Sequence, residues 1–180
     1  KEVMRFLIDN DIMLQLSLDG PPDVHNRYRV FENGLGSFYL VAKNLETLRN
    51  MDSHYYQRSV AFAATLAPPY DLLDTCRFYS SNELVAAMNL NVSFVNPYDT
   101  SFFKTSCHKV NKTLLTQHLT ILRSQYMDFR VASSNGQVNQ FLSGLFQGPL
   151  VTIHRRELNR MGAQCPPNGI CIPGVRRLFV

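Results

Sequence analysis

The stretch LSLDGPPDVHNRYR, residues 16–29, decides the fold. It begins inside a short, nearly all-apolar run, IMLQLSL at residues 12–18, which is typical of a strand buried on both faces of a parallel sheet. An Asp-Gly turn and two prolines end this strand, and a histidine and two arginines follow the turn. The stretch therefore predicts a hydroxyl, a carboxylate and a guanidinium close to the carboxyl end of a buried strand.

Two further apolar runs predict strands over residues 59–66 and 92–96. A helix is expected between the first two strands, with Ser37 placed as its N-cap. Its apolar stripe consists of Phe38, Val41, Leu45 and Leu48. A second helix with Cys76 on its apolar stripe follows the second strand, and Cys76 is interpreted as a small core residue. Strands that alternate with helices indicate βα units, so the predicted fold class is α/β with a parallel sheet.

The carboxyl ends of parallel strands meet at one edge of a sheet, where ligands bind in such folds. Polar side chains end all three predicted strands, at Ser17, Thr65 and Asn96. Each one alone is explained by a turn, but three at the same edge predict a binding site.

The second half of the chain predicts further helices. One carries Leu115, His118, Leu119, Leu122 and Tyr126 on one face. His118 is interpreted as a core or boundary histidine whose hydrogen bonds are satisfied. Another helix is expected over residues 137–147. After Gly148 and Pro149 a short helix is expected over residues 150–161, followed by a glycine- and proline-rich loop with two cysteines.

Composition excludes several classes of protein. The chain has 180 residues, of which 45% are apolar, and a net charge of +4. Its basic residues are scattered, which argues against a nucleic-acid partner. No apolar run approaches the roughly 20 residues of a membrane span.

No signal peptide is visible, which favours thiols over disulfides and a cytoplasmic location. The four cysteines form no C-x-x-C pair, so a classical zinc ribbon is not supported. Both ends look like cuts through structured elements, so the chain is expected to be a piece of a larger protein.

The residues after the first strand form a composite pattern. The pattern is S-L-D-G-P, then H-[DN]-x-x-R, then N-G-x-G-[ST]-[FY], then N-L-x-x-L. These segments lie at residues 17–21, 25–29, 33–38 and 44–48. Together they resemble the middle of radical SAM enzymes that carry a SPASM domain, above all the maturases of ribosomally made peptides and, next, the anaerobic sulfatase maturases. A second resemblance is CIPGVRRLFV, residues 171–180, which is similar to the opening of a SPASM domain.

The resemblance implies part of a partial (β/α)6 barrel over residues 1–130, a helical linker over 131–164 and the start of a SPASM domain over 165–180. It implies S-adenosylmethionine and [4Fe-4S] clusters as cofactors. Such enzymes cleave S-adenosylmethionine reductively and use the 5′-deoxyadenosyl radical to modify a peptide or protein substrate. An electron donor such as ferredoxin or flavodoxin is the implied partner. The C-x-x-x-C-x-x-C and G-G-E-P motifs of the family are absent, so the ligands of the main cluster would lie outside these residues.

The resemblance also assigns roles to single residues. Ser17 would meet the ribose hydroxyls of S-adenosylmethionine, and Arg29 would clamp its carboxylate with two charge-assisted bonds. Thr65 and Asn96 would contribute from the later strand ends. Cys171 would be the first auxiliary-cluster ligand, with Cys165 as a further candidate, because iron in clusters binds thiolates. No residue is assigned a catalytic role.

The plainer interpretations of these residues stay open. The alternative role of Ser17 is turn capping, and that of Arg29 is an ion pair with Asp23 or Glu32. Asp19 is expected mainly to order its own turn, with a role in cofactor binding as the alternative. His25 is expected to bond the turn, and Arg27 is expected to be solvated.

Rival functions belong to other classes of protein. A non-radical βα-barrel hydrolase would need a carboxylate pair, and a nucleotide-binding module would need a glycine-rich phosphate loop. The sequence contains neither G-x-G-x-x-G nor a P-loop. A non-catalytic interaction domain that uses the basic C-terminal part is the remaining alternative.

Overall fold

The computed structural model describes residues 1–95, 110–132 and 139–155. Its strands are β1 (Leu14–Ser17), β2 (Val60–Leu66) and β3 (Asn89–Phe94). Its helices are α1 (Glu2–Asp9), α2 (Pro22–His25), α3 (Phe38–Met51), α4 (Ser53–Ser59), α5 (Leu72–Ser81), α6 (Lys112–Ala132), α7 (Gln140–Leu142), a π-helical turn (Ser143–Gln147) and α8 (Gly148–Arg155). None of the helices in these ranges combines the length and the apolar character that crossing a membrane requires.

The three strands form one parallel sheet in the order β1-β2-β3. Ser17 is the register partner of Ala63, and Thr65 is the register partner of Ser93. The predicted α/β class and the three parallel neighbours are therefore confirmed. In the described residues the sheet is open, with three strands. Of the bounds, β2 agrees with the prediction within one residue, whereas β3 begins at Asn89 and not at residue 92.

The two faces of the sheet differ in character. Side chains alternate along each strand. One face packs on the helices, and β2 is buried there at every second residue. The opposite face, which we call the open face, carries only polar and small side chains, and those of β1 and β3 are exposed. The open face consists of Gln15, Ser17, Ala61, Ala63, Thr65, Asn89, Asn91 and Ser93. The prediction that β1 is buried on both faces is therefore wrong, because its polar residues alternate with leucines.

Helix α3 forms as its apolar stripe predicts, with Phe38, Leu45 and Leu48 buried. Ser37 occupies the N-cap position, but its side chain makes no capping bond. Instead, the Asn26 side-chain oxygen accepts the backbone N–H of Phe38 at 3.0 Å. A residue twelve positions earlier therefore satisfies a free N–H group at the start of α3.

Helix α5 packs Leu72, Cys76 and Tyr79 into the core. The interpretation of Cys76 as a small core residue is confirmed, and burial raises the pKa of its thiol. Tyr79 stacks in parallel on Phe141, with ring centroids 6.0 Å apart. The helix layer therefore joins the second βα unit to the C-terminal helices.

The later helices differ from the prediction at one place. Helix α6 forms as expected, with His118 half-buried on it, and among the described residues the buried Nδ1 atom of His118 has no hydrogen-bond partner. No break occurs at Gly148 and Pro149, because they lie in the first turn of α8, where a missing N–H group is tolerated. The described part of the predicted linker, residues 131–132 and 139–155, is helical apart from the N-cap Asn139, and Gly144 lies close against Val92 of β3.

Candidate binding site at the carboxyl edge of the sheet

Asp19 joins the carboxyl ends of β1 and β2. The backbone N–H of Leu18 continues the strand pairing by donating to the Ala63 carbonyl at 2.9 Å. The Asp19 carboxylate then accepts the backbone N–H of Thr65 through Oδ1 at 2.9 Å. Its side chain is only 9% exposed. Asp19 therefore does more than order its own turn, since it fixes the spacing of two strand ends.

Arg29 forms a two-bonded ion pair with the same carboxylate. Its Nε donates to Oδ2 of Asp19 at 2.6 Å, and its Nη2 donates to Oδ1 at 3.0 Å. The interpretation of Arg29 as a partner of Asp23 or Glu32 is therefore wrong. Because the guanidinium is planar, Nη1 lies on the side away from Asp19. The Arg29 side chain is 35% exposed, so a donor edge is left for a further anion.

His25 is hydrogen-bonded to the backbone of Asp19 and, through the Ser37 hydroxyl, to the backbone of Arg29. It is 1% exposed, and its Nδ1 accepts the backbone N–H of Asp19 at 3.3 Å. Its Nε2 lies 3.0 Å from Oγ of Ser37, and that hydroxyl donates to the Arg29 carbonyl at 2.9 Å. The Ser37 hydroxyl has one proton, so Nε2 must be the donor and the ring is the neutral Nε2–H tautomer. Burial lowers the pKa of His25, the Asp19 charge opposes that shift and the Arg29 charge adds to it. The prediction that His25 bonds the turn is confirmed.

Two glycines allow the chain to fit around these contacts. A side chain on Gly36 would overlap Asn26, the residue that caps α3. Gly20 has a φ of +151° and lies against Val24 and Thr75, so it suits a residue without a side chain. The segments of the thirty-residue pattern are therefore packed on one another.

The segment between His25 and Arg29 is also tied to the loop that follows β2. Arg27 pairs with Asp71 at 2.8 Å, so the expectation of a solvated Arg27 is wrong. The Tyr28 hydroxyl donates to the Pro68 carbonyl at 2.7 Å. These two contacts hold the βα loops of β1 and β2 side by side.

Tyr79 anchors the strand end from the helix layer. Its hydroxyl donates to the carbonyl of Leu18, the residue directly before Asp19. Burial raises the pKa of this phenol strongly, the Asp19 charge adds to the shift and the Arg29 charge opposes it. Tyr79 is therefore a neutral donor at physiological pH.

The structure brings some of the predicted site residues together. Asp19 and Arg29 are in direct contact, and Thr65 joins them through its backbone N–H. Ser17 lies on the open face of β1, two residues before Asp19. Asn96, Cys165 and Cys171 fall outside the described residues. In the part of the chain that is described, no group of three or more His, Cys, Asp and Glu side chains is arranged to hold a metal ion.

The sequence analysis missed the polar residues of β3 on the open face. Ser93 is the register partner of Thr65, and Asn91 is the partner of Ala63, so β3 continues the polar surface that begins at Ser17. The signal was present as a strict polar–apolar alternation, NLNVSF over residues 89–94. The prediction started at residue 92 and therefore kept only the end of that alternation.

Together, the fold and this edge define an open parallel α/β sheet that presents a fixed guanidinium at the carboxyl ends of its strands. A scan against models of known protein families found no match, and no solved structure matches the chain.

Proposed function

We propose that the chain is part of a radical SAM enzyme with a SPASM domain, which modifies a peptide or protein substrate. The proposal rests on the thirty-residue resemblance and on the geometry of its residues. The resembling enzymes place a serine and an arginine around S-adenosylmethionine, and the matching positions here are Ser17 and Arg29. Ser17 lies on the open face, and Arg29 lies at the carboxyl edge of the same sheet.

The observation that carries the proposal is the Asp19–Arg29 pair. Asp19 takes one N–H each from Nε and Nη2 of the guanidinium, so the end formed by Nη1 and the second N–H of Nη2 is left for the carboxylate of S-adenosylmethionine. An arginine that is already held in place binds a carboxylate with less loss of side-chain freedom. The pair has no net charge, which suits the amino-acid end of S-adenosylmethionine, where a carboxylate and an ammonium group lie side by side.

The open face supports the remaining contacts. Ser17, Thr65 and Ser93 place hydroxyl-bearing residues near its carboxyl end, and hydroxyls can bond those of a ribose. Ala61 and Ala63 have small side chains that leave space above the middle strand. The side chains of this face therefore fit a polar ligand with a sugar at its centre.

The proposed cofactors and partners need residues beyond this site. S-adenosylmethionine, when bound beside a reduced [4Fe-4S] cluster, supplies a radical that removes a hydrogen atom from the substrate. In this chain Arg29 would orient the amino-acid end, Ser17 would hold the ribose, and Thr65 and Asn96 would complete the edge. Cys171, with Cys165 as a further candidate, would ligate an auxiliary cluster. A ferredoxin or flavodoxin would supply electrons in the cytoplasm.

The test of this function uses the full-length protein, reconstituted with iron and sulfide under anaerobic conditions and reduced with dithionite. We expect S-adenosylmethionine to be converted to methionine and 5′-deoxyadenosine, measured by liquid chromatography. A preparation that contains iron and yields no 5′-deoxyadenosine would contradict the proposal.

The auxiliary cluster has its own test. The Cys171→Ala variant of the full-length protein should contain less iron, by part of one cluster or more, and should still form 5′-deoxyadenosine. The matched control is Cys76→Ala, because Cys76 lies in the apolar core and should not change the iron content. Equal iron in wild type and Cys171→Ala would remove Cys171 from the ligands.

A further inference from the structure

We propose that Asp19 is a positioning residue that holds Arg29 by its Nε edge, so that the guanidinium meets its anionic ligand only through the end formed by Nη1 and the second N–H of Nη2. The identity of that ligand, the carboxylate of S-adenosylmethionine, rests on the proposed function. The orientation of Arg29 by Asp19 does not depend on that function. Asp19 was a candidate for binding the cofactor directly. In this proposal it instead orients Arg29, and Arg29 binds the cofactor.

The acceptor positions of Asp19 are largely occupied. Oδ1 accepts the backbone N–H of Thr65 and the Nη2 group of Arg29, and Oδ2 accepts Nε of Arg29. A carboxylate offers about four acceptor positions, so three of them are used within the protein. Its low exposure leaves little surface for a ligand. The Asp19 carboxylate is therefore bonded mainly to other residues of the protein and not to a ligand.

Hydrogen bonds to three other elements fix the position of Asp19. Its backbone N–H donates to His25, and the carbonyl of the preceding Leu18 accepts from Tyr79. Its carboxylate bonds the backbone of β2 at Thr65. Contacts from α2, α5 and β2 thus fix this carboxylate, and Arg29 takes its orientation from the strand ends.

The substitution Asp19→Asn separates the two tasks of the carboxylate. The remaining amide oxygen can still accept the Thr65 N–H, whereas the amide nitrogen is a donor that would face the donor Nε of Arg29. Arg29 should lose its Nε bond and the charge of its partner, and should be held less firmly, while the link between the strand ends is kept.

The first experiment needs no ligand. The full-length protein and its Asp19→Asn variant are treated with phenylglyoxal, which modifies free guanidinium groups, and the rate at each arginine is followed by peptide mass mapping. We expect Arg29 to react several-fold faster in Asp19→Asn, whereas the exposed Arg77 reacts equally in both proteins. An unchanged rate at Arg29 would overturn the proposal.

The second experiment measures the dissociation constant of S-adenosylmethionine for Asp19→Asn, Arg29→Ala and the double variant. We expect Asp19→Asn to weaken binding about tenfold and to have no further effect when Arg29 is already alanine, because it acts through Arg29. An equal loss in both backgrounds would indicate a structural role and overturn the proposal. If Asp19→Asn does not fold, Asp19→Glu replaces it, because the longer side chain keeps the charge but shifts the carboxylate away from Nε of Arg29, and it should weaken binding only while Arg29 is present.

The two experiments separate the two proposals. Faster modification of Arg29 in Asp19→Asn, with unchanged affinity of Arg29→Ala for S-adenosylmethionine, would support the positioning role of Asp19 and contradict the proposed function. Weaker binding in Arg29→Ala alone, with wild-type behaviour of Asp19→Asn in both experiments, would leave the function and remove the positioning role.

Discussion

An Asp–Arg ion pair lies at each end of the β1–β2 pair, and the two ion pairs differ in their surroundings. At the amino end Asp11 pairs with Arg58, and both side chains are more than half exposed, at 58% and 55%. At the carboxyl end Asp19 pairs with Arg29, and Asp19 is also bonded to β2. The same chemistry thus serves a surface contact at one end and a supported, partly buried guanidinium at the other.

The largest expected effect on stability follows from removing the buried carboxylate. Asp19→Ala loses the two bonds to Arg29 and the acceptor for Thr65, so it should lower the free energy of unfolding by about 2–4 kcal/mol. The change at the amino end, Arg58→Ala, breaks the exposed ion pair there without altering Asp11, whose φ of +50° disfavours alanine, and should cost about 0–1 kcal/mol because exposed ion pairs contribute little. Urea unfolding of both variants measures the difference. Equal losses would show that the two ends are equivalent.

The next effect tests the packing around the carboxyl end. In Gly36→Ala the new methyl group would displace the Asn26 side chain from the start of α3, so it should cost about 1–2 kcal/mol through the lost cap and the crowding. Gly148→Ala is the control, since no atom of the described residues lies within 4 Å of its added carbon. Thermal unfolding of both variants provides the measurement. A Gly36→Ala variant as stable as wild type would mean that Asn26 does not need this position.

A smaller effect is the pH dependence that His25 contributes. Its pKa in the folded protein is lowered by burial, so the unfolded chain binds the extra proton more readily. The stability from the neutral ring is present above the ordinary pKa of 6.5 and is lost as the pH falls below that value, by at most about 1.4 kcal/mol per pH unit.

Unfolding measured between pH 8 and pH 5 tests this sign. His25→Gln should be less stable at pH 8 and should show a shallower fall toward pH 5 than wild type. His54→Gln, at an exposed position, provides the control for replacing a histidine by glutamine. A His25→Gln variant with the wild-type slope would show that His25 is not the titrating group.

The sequence predicted the strands better than their contacts. Apolar runs bounded by Gly and Pro located three parallel strands, because burial of apolar residues is a local signal. The Asp19–Arg29 pair was missed because each residue was assigned a separate role, and their meeting depends on the fold of the turn between them. The cap of α3 was assigned to Ser37 for the same reason, although Asn26 reaches it across the turn. Gly148 and Pro149 were expected to end a helix, since sequence does not show which turn of a helix a proline enters.

The central claim is that the carboxyl end of the β1–β2 pair, and not the amino end, binds S-adenosylmethionine. The direct measurement is the dissociation constant of S-adenosylmethionine for full-length Arg29→Ala and Arg58→Ala, by equilibrium dialysis under anaerobic conditions. Loss of one charge-assisted contact corresponds to about 1.5–3 kcal/mol, so Arg29→Ala should bind roughly tenfold to a hundredfold more weakly, while Arg58→Ala keeps the wild-type value. Unchanged affinity in Arg29→Ala, or equal losses in both variants, would contradict the claim.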